Sequence, residues 1–263
     1  LPEGFVSGLL PSGDAERLVT GAGGEAPSEL QPYAELAARW CVHLICGTML
    51  EVHSDGQRFF TTSVVLGPDG RAVGAYRKRK VHDFQVQAEG DRPFLFEVPG
   101  LGIVGLLICL DAEDDRLVEE VLARGACCVI NPIHIPVPGR AVRDAASGHW
   151  RIGLDCMARR FQHICASRGV TWLRCDCPFP TGLGSTQAIG PERTESVASM
   201  GTEVLPVLLW RHAECRGTQL LSVVPPSSRE RAALEENCGA RCAVALVRVG
   251  RRRTPGSAPG LLI

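Results

Sequence analysis

Cys109 is the residue whose surroundings point most directly to chemistry. It lies where an apolar run, Leu101 to Ile108, meets an acidic segment that starts a helix. An apolar run of this length is typical of a buried strand, and a helix start after it places the thiol at a sharp turn. Free backbone N–H groups at a helix start can lower the pKa of a thiol and bind an oxyanion. Cys109 is therefore a candidate nucleophile, although a cysteine buried beneath a helix would leave the same pattern.

The acidic segment after Cys109 bears on the reactivity of its thiol. Asp111 is a favourable N-cap, and apolar residues at helical spacing predict a helix over residues 112–124. Asp111, Asp114 and Asp115 all lie close to Cys109 in the sequence, and negative charges near a thiol raise its pKa. A reactive thiol at this position therefore requires a nearby cation.

Two further ionisable residues gain interest only together with Cys109. Glu3 lies in the segment Pro-Glu-Gly-Phe, and Lys78 follows a predicted strand inside the basic run RKRK at 77–80. Taken alone, Glu3 is explained as a residue near a chain end and Lys78 as one charge on a solvated face. Neither residue identifies a site by itself.

The segments around these three residues resemble the nitrilase, or carbon–nitrogen hydrolase, superfamily. Members carry a glutamate in a PE segment, a lysine in a YRK segment after a GPDG hairpin, and a cysteine in an IC-x-D turn. This chain has PEGFVSG at residues 2–8, FTTSVVLGPDGRAVGAYRK at 60–78 and VGLLICLD at 104–111. Weaker matches follow at Ala158-Arg159-Arg160 and from Gly182 to Gln187.

The resemblance implies a thiol amidohydrolase with a four-layer αββα sandwich that forms a homodimer or a larger homo-oligomer. Glu3 would act as general base on Cys109, whose thiolate attacks the carbon of an amide, ureido or nitrile group in a small molecule. Lys78 and the backbone N–H of Leu110 would stabilise the oxyanion. Glu89 is the nearest match to a second, supporting glutamate of the family. This chemistry needs no cofactor and no metal.

The match has a gap, and it leaves other functions open. The family's N-terminal strand and helix, which precede the PE segment, are missing, so we expect the sandwich to be N-terminally incomplete. Leu110-Asp111 after the cysteine resembles the amidase and carbamoylase branches, which favours amide-type substrates. One alternative is a catalytically silent relative that keeps the fold as a scaffold or binding protein. Another is a Cys–His hydrolase that pairs Cys109 with His82 or His134.

Composition limits the classes of partner. The chain has 263 residues, a formal net charge of −1 and 45% hydrophobic residues, which is ordinary for a globular protein. This balance gives no electrostatic reason to expect nucleic acid or a membrane as a partner, and no apolar run reaches the ~20 residues of a membrane span. We therefore expect a cytoplasmic protein whose 12 cysteines are reduced thiols. The short pairs Cys175-x-Cys177 and Cys238-x₃-Cys242 lack the spacing of a zinc ribbon, so no metal is expected.

Apolar and turn patterns predict a mixed α/β fold with one domain over residues 1–250 and a tail without a packing pattern at 251–263. Predicted helices are Leu30 to Trp40, 112–124 and His149 to about Gln162. Predicted strands are Val42 to Leu50, Phe59 to Leu66, Ala72 to Tyr76, Phe94 to Pro99, Leu101 to Ile108, Cys127 to Asn131, Ile164 to Ala166, Thr171 to Asp176 and Gln187 to Ile189. The loops Pro136 to Gly148 and Pro178 to Gly184 are expected to select the substrate, whose identity the sequence leaves open.

Overall fold

The structure is a computed structural model that describes most of the first 134 residues and several later segments. Side chains are described for residues 3–4, 6, 9–19, 24–134, 157–176 and 186–192. The backbone alone is described for residues 142–143, 150–151, 154–156, 194–196, 207–212, 218–224, 246–249 and 260–262.

Helices and strands alternate along these segments, as the sequence predicts. The helices are α1 (Ser12–Val19), α2 (Gln31–Trp40), α3 (Asp115–Ala123) and α4 (Leu154–Arg168), and single 3-10 turns lie at Ser28–Leu30 and Cys109–Glu113. The strands are β1 (Leu9–Leu10), β2 (Val42–Ile45), β3 (Met49–Val52), β4 (Phe59–Leu66), β5 (Ala72–Arg77), β6 (Phe94–Val98), β7 (Gly102–Leu106), β8 (Cys128–Ile133), β9 (Val142–Arg143), β10 (Trp150–Arg151), β11 (Thr171–Asp176), β12 (Gln187–Ile189), β13 (Thr194–Ser196), β14 (Val207–His212), β15 (Thr218–Val224), β16 (Leu246–Val249) and β17 (Gly260–Leu262).

The first sheet is built around the hairpin of β4 and β5. The strand order in the described part of the chain is β1-β3-β4-β2-β17-β16-β14-β15, and β5 also pairs with β4. The hairpin turn is the predicted GPDG segment, where Gly67 N–H donates to the Arg71 carbonyl at 2.7 Å and Gly70 has φ +77°. β5 ends at Arg77, so this hairpin delivers Lys78 to one edge of the sheet.

The second sheet delivers Cys109. Its order is β13-β12-β11-β8-β7-β6, and β7, β8 and β11 run parallel to one another. The connections between these parallel strands contain α3 and α4, as parallel pairing requires. The carboxyl ends of parallel strands meet at one edge of a sheet, which is where such folds place their sites.

Two hydrophobic clusters show the layer arrangement. One cluster packs α1 and α2 against the first sheet, through residues such as Leu18, Leu36 and Val64. The other joins the inward side of the first sheet to the second sheet and to α3 and α4. The layers are therefore helix, sheet, sheet and helix, which confirms the predicted αββα class.

Several local predictions are wrong. The run Val42 to Leu50 breaks into β2 and β3, since residues 46–48 belong to neither strand. Ile164 to Ala166 belongs to α4 and is not a strand, since Phe161 and Cys165 one turn apart are both fully buried. Asp111 is not the cap of the long helix, because α3 begins after Asp114, whose carboxylate accepts from Arg116 N–H at 3.0 Å.

Some predicted segments fall on residues of which little is described. The loop Pro178 to Gly184 lies outside the described residues, and of Pro136 to Gly148 only the backbone of β9 is described. In the tail at 251–263, where the sequence predicts no element, Gly260–Leu262 pair with residues of β2.

The contact between β7 and α3 has no space for a methyl group at Gly105. A Cβ there would overlap Val121 Cγ1 and would lie 3.4 Å from Ala126 Cβ. We expect Gly105→Ala to destabilise the fold by about 1–3 kcal/mol, because overpacking forces the helix off the sheet. Urea unfolding measures this change. The matched control is Gly13→Ala in α1, where nothing lies within 4 Å, and it should stabilise by about 0.5–1 kcal/mol. Equal effects at the two positions would contradict the packing argument.

Candidate active site

Cys109 occupies a strained turn directly beyond β7. Its φ is +45°, a left-handed conformation that side-chain-bearing residues seldom adopt. Before it, Leu107 N–H donates to the Ile130 carbonyl at 3.0 Å, which extends the ladder to within two residues of the thiol. After it, the backbone forms the single 3-10 turn Cys109–Glu113. The geometry is that of a nucleophile elbow, which lifts a side chain out of the end of a sheet.

Lys78 is fixed through its backbone at the end of β5. Its N–H donates to the Thr61 carbonyl and its carbonyl accepts from Gly90 N–H, both at 2.8 Å. Only 3% of its side chain is exposed. The interpretation of Lys78 as one charge on a solvated face is therefore wrong.

Glu3 is anchored to both halves of the sandwich. Its N–H donates to the Ile133 carbonyl at 3.3 Å, and Gly4 N–H donates to Thr48 Oγ1 at 2.7 Å. Its side chain is 15% exposed, and Oε1 accepts a hydrogen bond from Lys78 Nζ at 2.5 Å. The described part of the N-terminal segment thus places a carboxylate against the buried ammonium group.

The thiol of Cys109 completes this group. It is hydrogen-bonded to the Glu3 carboxylate, and the backbone of His134 is bonded to its sulfur. The pKa of the Cys109 thiol is raised to about 12, first by burial and then by the negative charge of Glu3, while the charge of Lys78 acts to lower it. At neutral pH the thiol is therefore protonated, and its attack on a carbon requires a base. The Glu3 carboxylate is a proton-accepting group that is bonded to this thiol.

Lys78 is positively charged in this environment. Burial acts to lower its pKa, but the charges of Glu3 and Cys109 and the Glu3 hydrogen bond outweigh burial, so the pKa is raised. A fixed cation beside the thiol supplies the positive charge that an oxyanion needs. Lys78 is therefore a cation near Cys109, as the sequence requires for a reactive thiol that is followed by acidic residues.

The acidic residues after Cys109 act differently from the expectation. The side chain of Asp115 is 88% exposed, and Asp114 is paired with Arg116 at 3.0 Å. The rise in the pKa of the Cys109 thiol comes instead from burial and Glu3.

The remaining predicted residues lie around this core. Leu110 is the second residue of the 3-10 turn, where backbone N–H groups of a helix start have no partner within the helix. Glu89 is exposed beside Gly90, and no hydrogen bond joins it to Lys78 or Cys109 in the part of the chain that the structure describes. His82 is exposed, and its backbone N–H donates to Gln87. His134 contacts Cys109 through its backbone.

Two buried charged residues near the site are missed by sequence reasoning about catalysis. Asp111 is fully buried, and its Oδ2 accepts from Ile108 N–H at 3.1 Å across the turn that holds Cys109. Arg174 of β11 is buried and interacts electrostatically with Cys109, and burial lowers its pKa. An arginine inside the apolar run TWLRCD is the one signal of a special role that the sequence offers for it.

The described segments also limit other chemistry. Within them, no group of three His, Cys, Asp or Glu side chains is arranged to hold a metal ion. Cys177, Cys238 and Cys242 lie outside the described residues. Of the helices described, none has both the length and the apolar content needed to cross a bilayer.

A thiol, a carboxylate and an ammonium group thus meet at one edge of an αββα sandwich. The family model for carbon-nitrogen hydrolases matches residues 1–156, more than half of the chain. The protein belongs to the carbon–nitrogen hydrolase family, which confirms the resemblance to the nitrilase superfamily.

Individual relatives agree with this assignment. The human protein "Omega-amidase NIT2" is 27% identical over 133 residues, which cover 46% of this chain and 45% of that protein. The chain thus spans about half the length of this curated relative. Nit3 of Saccharomyces cerevisiae, a member of branch 10 of the nitrilase superfamily, superposes with a TM-score of 0.54 at 18% identity, covering 74% of this chain and 73% of its own. A mutant of the amidase from Nesterenkonia sp. AN1 in complex with butyramide gives a TM-score of 0.51 at 16% identity, covering 80% and 72%.

Proposed function

We propose that this protein hydrolyses an amide-type C–N bond of a small molecule through a covalent Cys109 acyl-enzyme. The observation that carries the proposal is the contact of three groups, in which Glu3 is bonded both to the Lys78 ammonium and to the Cys109 thiol. Base, cation and nucleophile are the parts that thiol-dependent acyl transfer requires.

The first half of the reaction forms the acyl-enzyme. Glu3 takes the thiol proton as Sγ attacks the carbonyl carbon, and the C=O electron pair moves onto oxygen. Lys78 Nζ and the Leu110 N–H stabilise this oxyanion. Glu3 then gives its proton to the nitrogen, the C–N bond breaks, and ammonia or an amine leaves a thioester on Cys109.

The second half releases the acid. Glu3 takes a proton from a water molecule as the water oxygen attacks the thioester carbon, and the oxyanion again faces Lys78. Collapse of this intermediate breaks the C–S bond, and the proton returns to Sγ. The buried thiol needs no lowered pKa before its attack, because the proposed base is already bonded to it.

Amides are the favoured substrate class over ureido compounds and nitriles. The relatives include a protein named as an omega-amidase and an amidase crystallised with butyramide. The Leu110-Asp111 pair after the cysteine supports the same choice.

Ammonia release from a panel tests the proposal. The panel contains short neutral amides such as butyramide, dicarboxylic acid monoamides, N-carbamoyl amino acids and aliphatic nitriles. We expect turnover on at least one amide and an acyl adduct on Cys109 by mass spectrometry of the trapped enzyme. Turnover of nitriles alone would overturn the amide assignment.

A silent scaffold would behave differently in a thiol-labelling experiment. Because the Cys109 thiol is less buried than those of Cys128 and Cys175, and because the charge of Lys78 acts to lower its pKa, Cys109 should react with iodoacetamide faster than these two thiols. A folded chain without turnover on the panel, in which Cys109 reacts no faster than these two, would favour the scaffold.

A further inference from the structure

Asp111 joins the segment that carries Lys78 to the turn that carries Cys109. Its Oδ1 accepts hydrogen bonds from the backbone N–H groups of Arg79 at 3.0 Å and Lys80 at 2.6 Å. Its Oδ2 accepts from the Tyr76 hydroxyl at 2.8 Å and from Ile108 N–H at 3.1 Å. The partners thus lie on both sides of Lys78 and immediately before Cys109.

We infer that Asp111 is a positioning residue, whose ionised carboxylate holds the Lys78 ammonium and the Cys109 thiol in reacting geometry. This inference rests on the proposed roles of Lys78 and Cys109. Asp111 touches neither reacting atom, so it acts through the backbone on either side of them. A misplacement of about 1 Å in such a site can cost on the order of 10²-fold in rate.

The bonding pattern favours an ionised carboxylate. Three of the four partners are backbone N–H groups, which can only donate, and the Tyr76 hydroxyl is the one partner able to reverse. A protonated carboxyl or an amide places a donor of its own on one oxygen position, so fewer acceptors face the same donors. A backbone N–H left unpaired in this buried place would pull its segment toward another acceptor.

The charge of Asp111 depends on pH near neutrality. Burial raises its pKa to about 6, against the hydrogen bonds and the charge of Lys78, which act to lower it. Because folding raises this pKa, ionisation of Asp111 costs stability as the pH rises toward and through about 6. A buried carboxylate whose charge costs stability but accepts four hydrogen bonds is what a positioning role predicts.

Several other charged and titratable groups lie around Asp111. Those that face the carboxylate or its partners are Tyr76, Lys78, Arg79 with its partner Glu120, and Lys80. Burial and the Asp111 charge raise the pKa of Tyr76, and the hydrogen bond from Arg79 lowers the pKa of Glu120. The pKa of Lys78 is raised as well. Within this cluster, Asp111 is the group whose pKa is raised into the range near pH 6.

The test follows alkylation of Cys109 by iodoacetamide, read on the Cys109 peptide by mass spectrometry from about pH 5 to about pH 9. In the unmodified chain, the logarithm of the alkylation rate should rise by about one per pH unit above pH ~6, because the pH is far below the pKa of the Cys109 thiol. Below pH ~6 it should rise by about two per unit, because Asp111 must also lose a proton.

Three variants separate position from charge. Asp111→Asn should lose the steeper limb of the pH profile below pH ~6, and its Cys109 thiol should react at least about tenfold more slowly at neutral pH. Tyr76→Phe removes one of the four bonds, so it should keep the limb and slow the reaction about 2–5-fold. The matched control is Asp114→Asn, which removes a carboxylate from the next turn but keeps a good N-cap and should stay within about twofold.

Several outcomes would overturn the inference. A folded Asp111→Asn with the original rate and the original steep limb would do so. His134→Gln keeps the backbone N–H to Sγ, so loss of the limb in that variant would assign the titration to the imidazole instead. If Asp111→Asn does not fold, unchanged alkylation in both Tyr76→Phe and Asp111→Glu overturns it. Ammonia release is measured in parallel, and its absence with the expected alkylation pattern contradicts the hydrolase proposal alone.

Discussion

Replacing Cys109 with alanine will remove amide hydrolysis, with kcat/KM expected to fall by at least about 10⁴-fold. In the proposed mechanism the thiol gives its proton to Glu3 and then carries the acyl group, so alanine leaves Glu3 and Lys78 without an acyl acceptor. Ammonia release measures the rate, and intact mass measures the acyl adduct, which should be present before the substitution and absent after it.

The control for this substitution is Cys127→Ala. Cys127 is a partly buried thiol whose sulfur donates to the Leu101 carbonyl at 3.1 Å, away from Glu3 and Lys78. Its removal should leave turnover within about twofold, as for most substitutions away from a site. Cys109→Ala that keeps a tenth or more of the activity would show that another group forms the covalent intermediate.

Replacing Lys78 with methionine should lower kcat by about 10² to 10³-fold, the usual effect of losing one oxyanion donor. Methionine keeps most of the volume of the buried stem but removes the charge. The pKa of the Cys109 thiol should also rise, because the charge of Lys78 is what acts against burial and Glu3. Slower alkylation of Cys109 at a fixed pH reports this second effect independently of the substrate.

Arg92→Met serves as the charge-matched control for Lys78→Met. Arg92 is half-exposed and pairs with Asp91 at 3.2 Å, so its charge lies in solvent. We expect its loss to change kcat by less than about twofold. Similar losses in the two variants would mean that a general positive field, and not the position of Lys78, supports the reaction.

The sequence alone points to Glu3, Lys78 and Cys109 as candidate site residues because each lies in a short segment with a recognisable neighbour pattern. Their contact, however, depends on pairing between distant strands. Lys78 is held by Thr61 on β4, whereas Glu3 is held by Ile133 on β8, and nothing local in the sequence specifies either bond. Long-range backbone pairing of this kind is set by the sheets and not by local residue patterns.

Asp111 shows why local rules mislead near a site. An aspartate before a helix-like run is a good N-cap, and both Asp111 and Asp114 satisfy this rule. The chain uses Asp114 as the cap and buries Asp111 among backbone donors from two segments. Propensity cannot choose between the two residues, because the deciding partners come from the Lys78 segment, about 30 positions earlier in the chain.

The wrong strand at Ile164 to Ala166 has a similar origin. A short apolar run reads equally as a strand or as the buried face of a helix. The stacking of Phe161 on Trp172, with ring centroids 4.4 Å apart, fixes α4 against β11 and keeps this segment helical. Trp172, the aromatic partner that holds this segment as a helix, comes later in the chain and lies in the second sheet.

Because the candidate groups are divided between the two sheets, the reactivity of the Cys109 thiol depends on how the sheets are aligned with each other. Lys78 moves with the first sheet and Cys109 with the second, while Glu3 is tied to a strand of the second and Gly4 to Thr48 beside the first. A slide of one sheet over the other therefore changes the spacing of ammonium and thiol directly. Substitutions in the inter-sheet core, at Ile45, Val65 or Val104, reach the thiol by this route without touching it. Looser packing between the two sheets would therefore abolish the reactivity of the Cys109 thiol while the helices and strands were still intact.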